Sequence, residues 1–373
     1  MLVHLAFGMC TSIFLILPKH FTTTLHAGPR QIGAVMTMHG VANILLMLPL
    51  RRLLTRWSHR RVLALGTIVM AFGGSLFIWV DRAGVLAGTG RFFQGAGWAC
   101  VFTAGSAMAA NLAPPGRMAQ AIGFFAAALL CTNAIGPAFS EFMLPLIGPT
   151  WVWIIGAGFG VVAFAVAVRL PKDGDTNSAP KADGAPLPPL GSLIAPRYFV
   201  LWFIMGLISV TMFTFHQPFA LQRGFARVSD LLVGFTMTAL VVRIISGRLL
   251  DRLGHRKVAM VTLAGYGFVL VTLNALGPIG LWPLGLAFGL THGAFYPAMM
   301  ALCMSTVAPE NRALAISRIN TANHLGAICV FGLGYVVEWG GYPLVFSGVG
   351  AITVLAALLL VAPRHPSGVT RAV

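Results

Sequence analysis

The stretch Trp57-Ser58-His59-Arg60-Arg61-Val62 recurs 196 residues later as Leu253-Gly254-His255-Arg256-Lys257-Val258. A second pair, Ala113-Pro114-x-x-Arg117 and Ala308-Pro309-x-x-Arg312, keeps nearly the same offset. Unrelated segments would not hold one offset over about fifty residues, and self-similarity at a fixed distance is the signature of repeated structural units. We therefore predict that the chain consists of two parallel copies of one unit.

The composition indicates what surrounds these copies. Of the 373 residues, 57% are hydrophobic and 9% are charged, whereas soluble domains are about a quarter charged. The apolar runs are continuous, unlike the alternating strands of a membrane barrel, and a spanning helix needs about 20 apolar residues. These features predict an all-α membrane protein with about 12 transmembrane helices in two parallel-repeat six-helix bundles.

The predicted spans group into four regions. Residues 1–169 form the first bundle, 170–196 a Pro-rich cytoplasmic linker, 197–363 the second bundle and 364–373 a cytoplasmic tail. The twelve spans are predicted at 2–18, 30–50, 61–80, 84–111, 117–146, 150–169, 197–221, 229–249, 257–276, 280–307, 311–337 and 341–362. No basic segment precedes the first run, so we expect a span that is short at its cytoplasmic end, not a cleaved signal peptide.

The placement of basic residues predicts the orientation. Most of the 25 Lys and Arg residues lie on the side that carries residues 51–61, and such a bias marks the cytoplasmic side. Both termini are therefore expected in the cytoplasm, in a multi-pass monomer of the bacterial inner membrane surrounded by lipid bilayer. The basic residues behind the net charge of +16 lie in separate short clusters between apolar runs and form no continuous basic surface, which argues against nucleic-acid binding.

Three motifs resemble those of the major facilitator superfamily. Residues 247–257, GRLLDRLGHRK, resemble its signature loop G-x-x-x-D-R-x-G-R-R/K-K, and Arg91-Phe92-Phe93-Gln94-Gly95 resembles its R-x-x-Q-G motif. Gly136-Pro137 resembles part of a motif of its exporters. The resemblance covers essentially the whole chain. It implies two parallel halves with a substrate site near the bilayer midplane, in a bacterial drug- or metabolite-exporter-like branch.

The signature loop is a candidate conformational switch, formed by Gly247, Asp251, Arg252, Gly254 and Arg256. Gly247 would let two helices approach closely, and Asp251 could pair with a nearby Arg in one conformation only. The alternative is a turn that never switches. The first copy has Arg51, Thr55 and Ser58 where the motif has Gly, Asp and Gly, so we expect the switch mostly in the second half. Gly136 and Pro137 are expected to break the fifth span.

Arg91 is the leading candidate for a substrate or coupling site, because a charge within a span needs a partner or a wet cavity. It would contact an anionic group or a proton path. Alternatively, it is tied to Gln94, to backbone carbonyls or to Glu141. Arg243 and Arg318 are expected to extend toward the membrane surface.

By the resemblance, spans 1, 4, 7 and 10 line the cavity, and an aromatic wall with few polar groups suits an amphipathic solute. The lining candidates are Phe92, Gln94, Trp98, Phe213, Phe215, His216, Gln217, His292 and Tyr296. Proton-coupling candidates are Glu141, His39, His216, His292 and His324, since histidine titrates in the useful range. For each aromatic or histidine, ordinary packing is the alternative.

The first functional hypothesis is a secondary active transporter that works by alternating access, through proton-coupled efflux of a drug-like or metabolite-like small molecule. No phosphate-binding loop for ATP is present. The alternatives are proton-coupled uptake of an organic anion, or a membrane scaffold that transports nothing. An enzyme is not expected, because no nucleophile–base pair is visible. No cofactor or metal is expected either, since the five cysteines lie in apolar runs without ligand spacing.

Overall fold

The computed structural model describes residues 2–113, 118–170, 194–275, 277, 280–308 and 311–361. Within these ranges all regular structure is helical. The first half contains α1 (Leu2–Ser12), α2 (Leu17–Thr23), α3 (Pro29–Arg56), α4 (His59–Ser75), α5 (Val85–Asn111) and α6 (Met118–Ala167). The second contains α7 (Pro196–Gln222), α8 (Ser229–Leu253), α9 (His255–Thr272), α10 (Leu281–Met304), α11 (Arg312–Ile328) and α12 (Val330–Ala357).

The helix bounds refine the predicted spans. A 3-10 segment, Ile13–Ile16, joins α1 to α2, so the first helical run continues to Thr23. Other 3-10 turns follow α4, α9 and α12, at Leu76–Trp79, Leu273–Ala275 and Leu358–Leu360. Helices α3 and α8 run past the predicted ends at 50 and 249, because their last turns carry Arg residues that need not lie in lipid. Most of the predicted linker, and the tail 364–373, lie outside the described residues, as do Arg117 and Pro309.

Helices α6 and α12 each contain one sharp break, at Gly148 (φ 78°, ψ 164°) and at Gly341 (φ 78°, ψ 169°). Only glycine adopts this backbone conformation at little cost, and a proline follows each break within two residues, Pro149 and Pro343. Each long helix is thus two helical segments that meet without a loop. The breaks fall at the predicted boundaries between spans five and six and between spans eleven and twelve.

Among the described residues, seven helical stretches are long and apolar enough to cross a membrane. They are Leu2–Thr23, His59–Trp79, Ala127–Ala167, Pro196–Gln222, His255–Ala275, Leu281–Met304 and Leu314–Leu360. Two of them, Ala127–Ala167 and Leu314–Leu360, contain the glycine breaks. The predicted second, fourth and eighth spans are helical as α3, α5 and α8 but are not among the seven. The expectation of an all-α membrane protein is confirmed.

The two halves use the same set of helix contacts. In the first half α4 packs on α5, α3 on α5, α1 on α6 and α4 on α6, and in the second α9 packs on α10, α8 on α10, α7 on α11 and α9 on α12. A glycine permits one close crossing in each half. A Cβ on Gly95 would lie 2.8 Å from the Cα of His39, and one on Gly289 would lie 3.0 Å from the carbonyl carbon of Phe235. The sequence repeat therefore corresponds to a repeat in packing.

Contact between the halves runs through α3 with α11 and α12, α6 with α8, and α2 with α7. Gly33 of α3 faces the backbone of Val330, and Gly40 faces Ile328. We call the end of the molecule with the Trp57 and Gly254 turns the basic end. The end with residues 24–28, 80–84 and 223–228 is the opposite end.

Candidate functional site

Arg91 lies on α5, six residues after Val85 and so roughly 9 Å along the helix axis. Its side chain is buried, at 6% exposure, and its Nη1 donates a 2.7 Å hydrogen bond to Oε1 of Gln94. Residues three apart on a helix are neighbours on its surface. Of the partners that the sequence left open, Gln94 is the one found. Glu141 instead binds Lys19.

The Arg91–Gln94 pair has hydrogen-bonding capacity to spare. Nε of Arg91 and Nε2 of Gln94 are both buried, and neither has a hydrogen-bond partner among the residues that the structure describes. A buried donor without a partner costs about 1–3 kcal/mol, and more when it is charged. The pair therefore offers two buried donor nitrogens to an acceptor, and one of the two belongs to a cation.

The surroundings of this pair come from both halves. Gly95, one turn after Arg91, packs on the backbone of His39 in α3. Arg91 and His324, from α11, are both within electrostatic range of the His39 imidazole. The ring of Trp98 lies 6.2 Å from that of His39. The structure thus brings together Arg91, Gln94 and Trp98, as expected from their common helix, and places them where the halves meet.

Asn43 is a member of this group that the sequence analysis missed. Its Nδ2 donates 2.8 Å to the His39 carbonyl, one turn earlier on α3. An amide within an apolar run, one turn from a histidine, is the signal that could have identified it. We call Arg91, Gln94, His39 and Asn43 the Arg91 cluster.

A second polar group, the His292 cluster, lies within the second half and comprises His292, Tyr266, Tyr296 and Arg243. The Tyr266 hydroxyl hydrogen-bonds Nδ1 of His292. The His292 and Tyr296 rings are 6.3 Å apart, and the Arg243 guanidinium lies over the Tyr296 ring, 5.7 Å from its centroid. Arg243 thus makes a cation–π contact, where the sequence favoured extension toward the surface. Tyr266 comes from α9, which the sequence did not connect with this site.

Two residues expected in the cavity wall pack inside the second half instead. Phe213 lies against the rings of Phe235 and Phe288, and Phe215 is fully buried beside Tyr342. The packing alternative accounts for both. Of the expected aromatic residues, Trp98 lies near the Arg91 cluster, with its ring 6.2 Å from that of His39.

The remaining polar candidates meet at the opposite end, in what we call the Lys19–Glu141 network. Nζ of Lys19 lies 2.6 Å from Oε1 of Glu141 and donates 2.5 Å to the carbonyl of Ala226. Oε1 of Glu141 accepts the N–H of Val228 at 2.8 Å, and its Oε2 accepts the N–H of Ser229 at 2.9 Å and the Ser229 hydroxyl. A first-half carboxylate therefore binds the start of a second-half helix.

Gln217 and His216 complete this network from α7. Oε1 of Gln217 accepts the Lys19 N–H at 3.0 Å, and Nε2 of Gln217 donates 2.7 Å to the Leu15 carbonyl. The His216 ring nitrogens face the carbonyls of Met212 and Val228. Both side chains are fully buried. Lys19, which was not among the sequence candidates, joins Gln217 to Glu141. Val228 joins His216 to Glu141.

The expected break at Gly136 and Pro137 is not present, because α6 passes through both residues with helical geometry. Gly136 instead permits close packing, since a Cβ there would lie 2.6 Å from the Ser12 carbonyl carbon. The Ser140 hydroxyl donates to the carbonyls of Gly136 (2.9 Å) and Ile13 (3.0 Å). The bond to Ile13 joins α6 to the 3-10 segment that follows α1. It also fixes the helix that carries Glu141.

The predicted switch loop is described only in part. The backbone of α8 is helical through Asp251, but the side chains at 246–251, including Gly247 and Asp251, lie outside the described part of the chain. Arg252 is exposed, and Arg256 donates from Nε to the Leu360 carbonyl. Gly254 has φ 82° at the start of α9, which favours glycine.

The matching residue in the first half is Ser58. It has φ −63°, and its side chain accepts a 3.4 Å hydrogen bond from the Arg61 N–H as the N-cap of α4. The first copy thus begins its helix with a side-chain cap and needs no positive φ. This explains why Ser replaces the motif's second glycine.

The sequence profile described as Major Facilitator Superfamily matches residues 1–288 and 226–372. A mouse protein named voltage-gated purine nucleotide uniporter SLC17A9 is 29% identical over 137 residues, or 35% of this chain and 30% of that protein. The human protein of that name is 24% identical over 135 residues, 34% of this chain and 30% of its own length. The match spans less than a third of these curated relatives.

Two solved structures share the fold. A POT family transporter in complex with a thioalcohol-conjugated peptide has a TM-score of 0.76 at 12% identity, covering 96% of this chain and 94% of its own. The nucleoside transporter NupG has a TM-score of 0.74 at 17% identity, covering 97% of this chain and 98% of its own. The profile match extends over most of the chain and makes it a multi-pass membrane protein of a transporter family, not of an enzyme family: the chain belongs to the Major Facilitator Superfamily.

Proposed function

We propose that this protein is a secondary active transporter that moves a small organic anion across the membrane by alternating access. The observation that carries the proposal is the Arg91 cluster. Two buried donors there, Nε of Arg91 and Nε2 of Gln94, lack partners in the described part of the chain. A ligand carboxylate or phosphate would take both, since guanidinium groups suit planar oxyanions.

The charge of the site supports an anion over a neutral solute. A buried cation without a counter-ion is costly, and Gln94, its hydrogen-bond partner, is neutral. An anionic solute would supply the missing negative charge while bound. The relatives named as purine nucleotide uniporters also support an anionic solute, because a purine nucleotide carries phosphate.

Alternating access is supported by where the halves touch. The contacts pair α3 with α11 and α12 and α6 with α8, so the two interfaces correspond under the internal repeat. We infer twelve spans in two six-helix bundles that rock about these interfaces, with the site between them. The basic end then faces the cytoplasm of a bacterial cell, with both termini, and the opposite end faces outside.

The direction of transport has two candidates. Proton-coupled efflux is the first, supported by the exporter-like Gly136-Pro137 pair and by titratable groups such as Glu141 near the outer surface. Proton-coupled uptake of the anion is the second, supported by the buried cation at Arg91. A scaffold without transport is the third possibility, and it leaves the spare donors of the Arg91 cluster without a purpose.

The test uses purified protein in liposomes, with pH gradients imposed in each direction. The solutes are matched pairs: a nucleoside monophosphate with its nucleoside, and a dicarboxylate with its diamide. We expect the anion of at least one pair to move and its neutral partner not to. Equal movement of both members would contradict the anion proposal, and movement of none would favour the scaffold. The gradient that accelerates movement assigns the direction.

A further inference from the structure

Glu141 is surrounded by hydrogen-bond donors from both halves of the molecule. Its Oε1 receives the Lys19 ammonium at 2.6 Å and the Val228 N–H at 2.8 Å. Its Oε2 receives the Ser229 N–H at 2.9 Å and the Ser229 hydroxyl. The carboxylate side chain is 9% exposed and the Lys19 side chain 19%. Two of its three partner residues, Val228 and Ser229, lie at the start of α8, the second-half helix that packs on α6.

These donors suit only the ionised acid. A carboxylate accepts hydrogen bonds and donates none, whereas a protonated carboxylic acid has an O–H that must find an acceptor. Lys19 and the two backbone N–H groups can only donate. A proton on Oε1 would therefore displace at least one of them, and a proton on Oε2 would require the Ser229 hydroxyl to turn from donor to acceptor. Either proton would remove the negative charge that attracts the Lys19 ammonium and that the dipole of α8 favours.

We propose that Glu141 is the proton-binding residue that couples protonation to separation of the two halves at the opposite end. Ionised Glu141 holds α6 to the start of α8, and protonated Glu141 releases it. The inference rests on the proposed function, because it supplies the proton-coupled step of alternating access. At high pH the opposite end is held closed, and at low pH it opens.

The charged and titratable groups that face Glu141 come from three elements. Lys19 is contributed by the α2 segment, His216 by α7, and Asp230 with neighbouring Arg227 by the start of α8. His216 and Glu141 contact opposite sides of Val228, since its N–H binds Glu141 and its carbonyl faces Nε2 of His216. Loss of the Glu141 bond therefore frees a segment that His216 still holds within the second half.

The second half provides a matched control at Glu338, which lies in the counterpart of the Glu141 segment. Its Oε2 is 4.0 Å from Nε of Arg30, and the two side chains are 41% and 53% exposed. Oε1 of Glu338 faces Gly28, the N-cap of α3, as Glu141 faces Ser229. An exposed ion pair at this distance contributes little to stability, so neutralising Glu338 should release nothing.

The experiment measures the distance across the opposite end without substrate. Nitroxide labels are placed at Thr24→Cys and Gln222→Cys, both exposed and in different halves, in full-length protein with its five native cysteines replaced by serine. Pulsed electron spin resonance in lipid nanodiscs then compares about pH 8 with about pH 4, because carboxylates ordinarily titrate near pH 4. The variants are Glu141→Gln, Ser229→Ala and Glu338→Gln.

We expect the parent protein to show mainly the short distance at high pH and a longer one at low pH. Glu141→Gln should populate the long distance roughly tenfold more at high pH, as loss of one charged hydrogen bond implies, and should respond little to pH. Ser229→Ala, which keeps the acid, should shift part of the way and stay pH-dependent. Glu338→Gln should match the parent.

A Glu141→Gln variant with the parent's pH response would overturn the inference, as would equal effects of Glu141→Gln and Glu338→Gln. If Glu141→Gln does not fold, a Ser229→Ala variant identical to the parent is the overturning result. Because no substrate is present, a transport failure with intact pH response refutes only the proposed function. Proton-coupled transport with an unchanged Glu141→Gln response refutes only this inference.

Discussion

The Arg91 cluster and the His292 cluster both place an arginine and a histidine among apolar helices, but they differ in how completely their polar atoms are paired. In the His292 cluster, Tyr266 bonds His292 and Arg243 lies over Tyr296. In the Arg91 cluster, buried donors of Arg91 and Gln94 have no partner in the described residues. The comparison indicates that the first half keeps buried donors available for a solute, whereas the polar groups of the second-half cluster bind one another.

The difference arises at one equivalent helix crossing. Gly95 lets α5 approach His39 in the first half, and Gly289 lets α10 approach Phe235 in the second. Phe235 then packs its ring 5.1 Å from that of His292, whereas His39 lies in range of the charges of Arg91 and His324. The residue at this repeated position therefore differs between the two halves, with a histidine at the polar site and a phenylalanine in the aromatic core.

The sharpest way to break this comparison is to remove each arginine in turn. Arg91→Ala should weaken anion transport at low solute concentration by roughly a hundredfold, about 2.7 kcal/mol, because charged hydrogen bonds to the solute are lost. Arg243→Ala should change it less than about threefold, since its cation–π partner belongs to the protein. Initial rates in liposomes provide the measurement. Equal losses in both variants would show that the halves share the solute.

Adding one methyl group at the helix crossing tests the packing side of the comparison. Gly95→Ala should destabilise the protein by about 2 kcal/mol, because the new Cβ overlaps the His39 backbone. Gly158→Ala is the control, since a Cβ there meets nothing within 4 Å. Apparent melting temperatures in detergent should fall for the first variant only. A similar fall in both would mean that the close crossing is not the cause.

Removing the hydroxyl of Tyr266 should lower stability, because it leaves a buried polar group of the second half without its hydrogen-bond partner. Tyr266→Phe leaves Nδ1 of His292 without its partner, for an expected loss of about 1.5 kcal/mol in stability. Transport by the remaining folded protein should be unchanged. The melting temperature and the rate per folded molecule are measured together. A loss of rate without a loss of stability would place the His292 cluster in the transport site.

The smallest effect is expected at the helix starts of the two copies. Ser58→Ala removes the side-chain cap of α4 and should cost about 1 kcal/mol. Ser58→Gly, which copies the second half, should cost only a few tenths of a kcal/mol because glycine is tolerated at an N-cap. The melting temperatures rank the two variants. The reverse order would show that the cap does not explain the loss of glycine from the first copy.

The helices and the internal repeat could be predicted from local signals, namely apolar runs and the recurring basic stretch. The sequence also selected Arg91, because charge within a span is rare and costly. It could not predict that Tyr266 reaches His292, since 26 residues and a turn separate them. Nor could it predict the role of Lys19, whose contacts with Glu141 and Ala226 depend on how two halves dock.

The expected break at Gly136-Pro137 failed for a related reason. Proline alone does not decide whether a membrane helix bends, because the outcome depends on whether neighbours satisfy the freed backbone groups. Packing also contributes here, because the Ser140 hydroxyl binds the Ile13 carbonyl of the adjacent 3-10 segment and holds α6 against it just after Pro137. The break occurs instead at Gly148, whose backbone has a positive φ of 78° that glycine adopts at little cost.

The loop-free breaks at Gly148 and Gly341 also bear on how the chain is made. Two helical segments that are joined by a single glycine are expected to insert into the bilayer together. Separate insertion of each segment would need a loop between them at the membrane surface, and these two pairs have none. Each pair is expected to leave the translocation machinery as a single hairpin. A topology reporter inserted at 148 or 341 would therefore disturb insertion itself, whereas one in the turn at Gly224 would only report it.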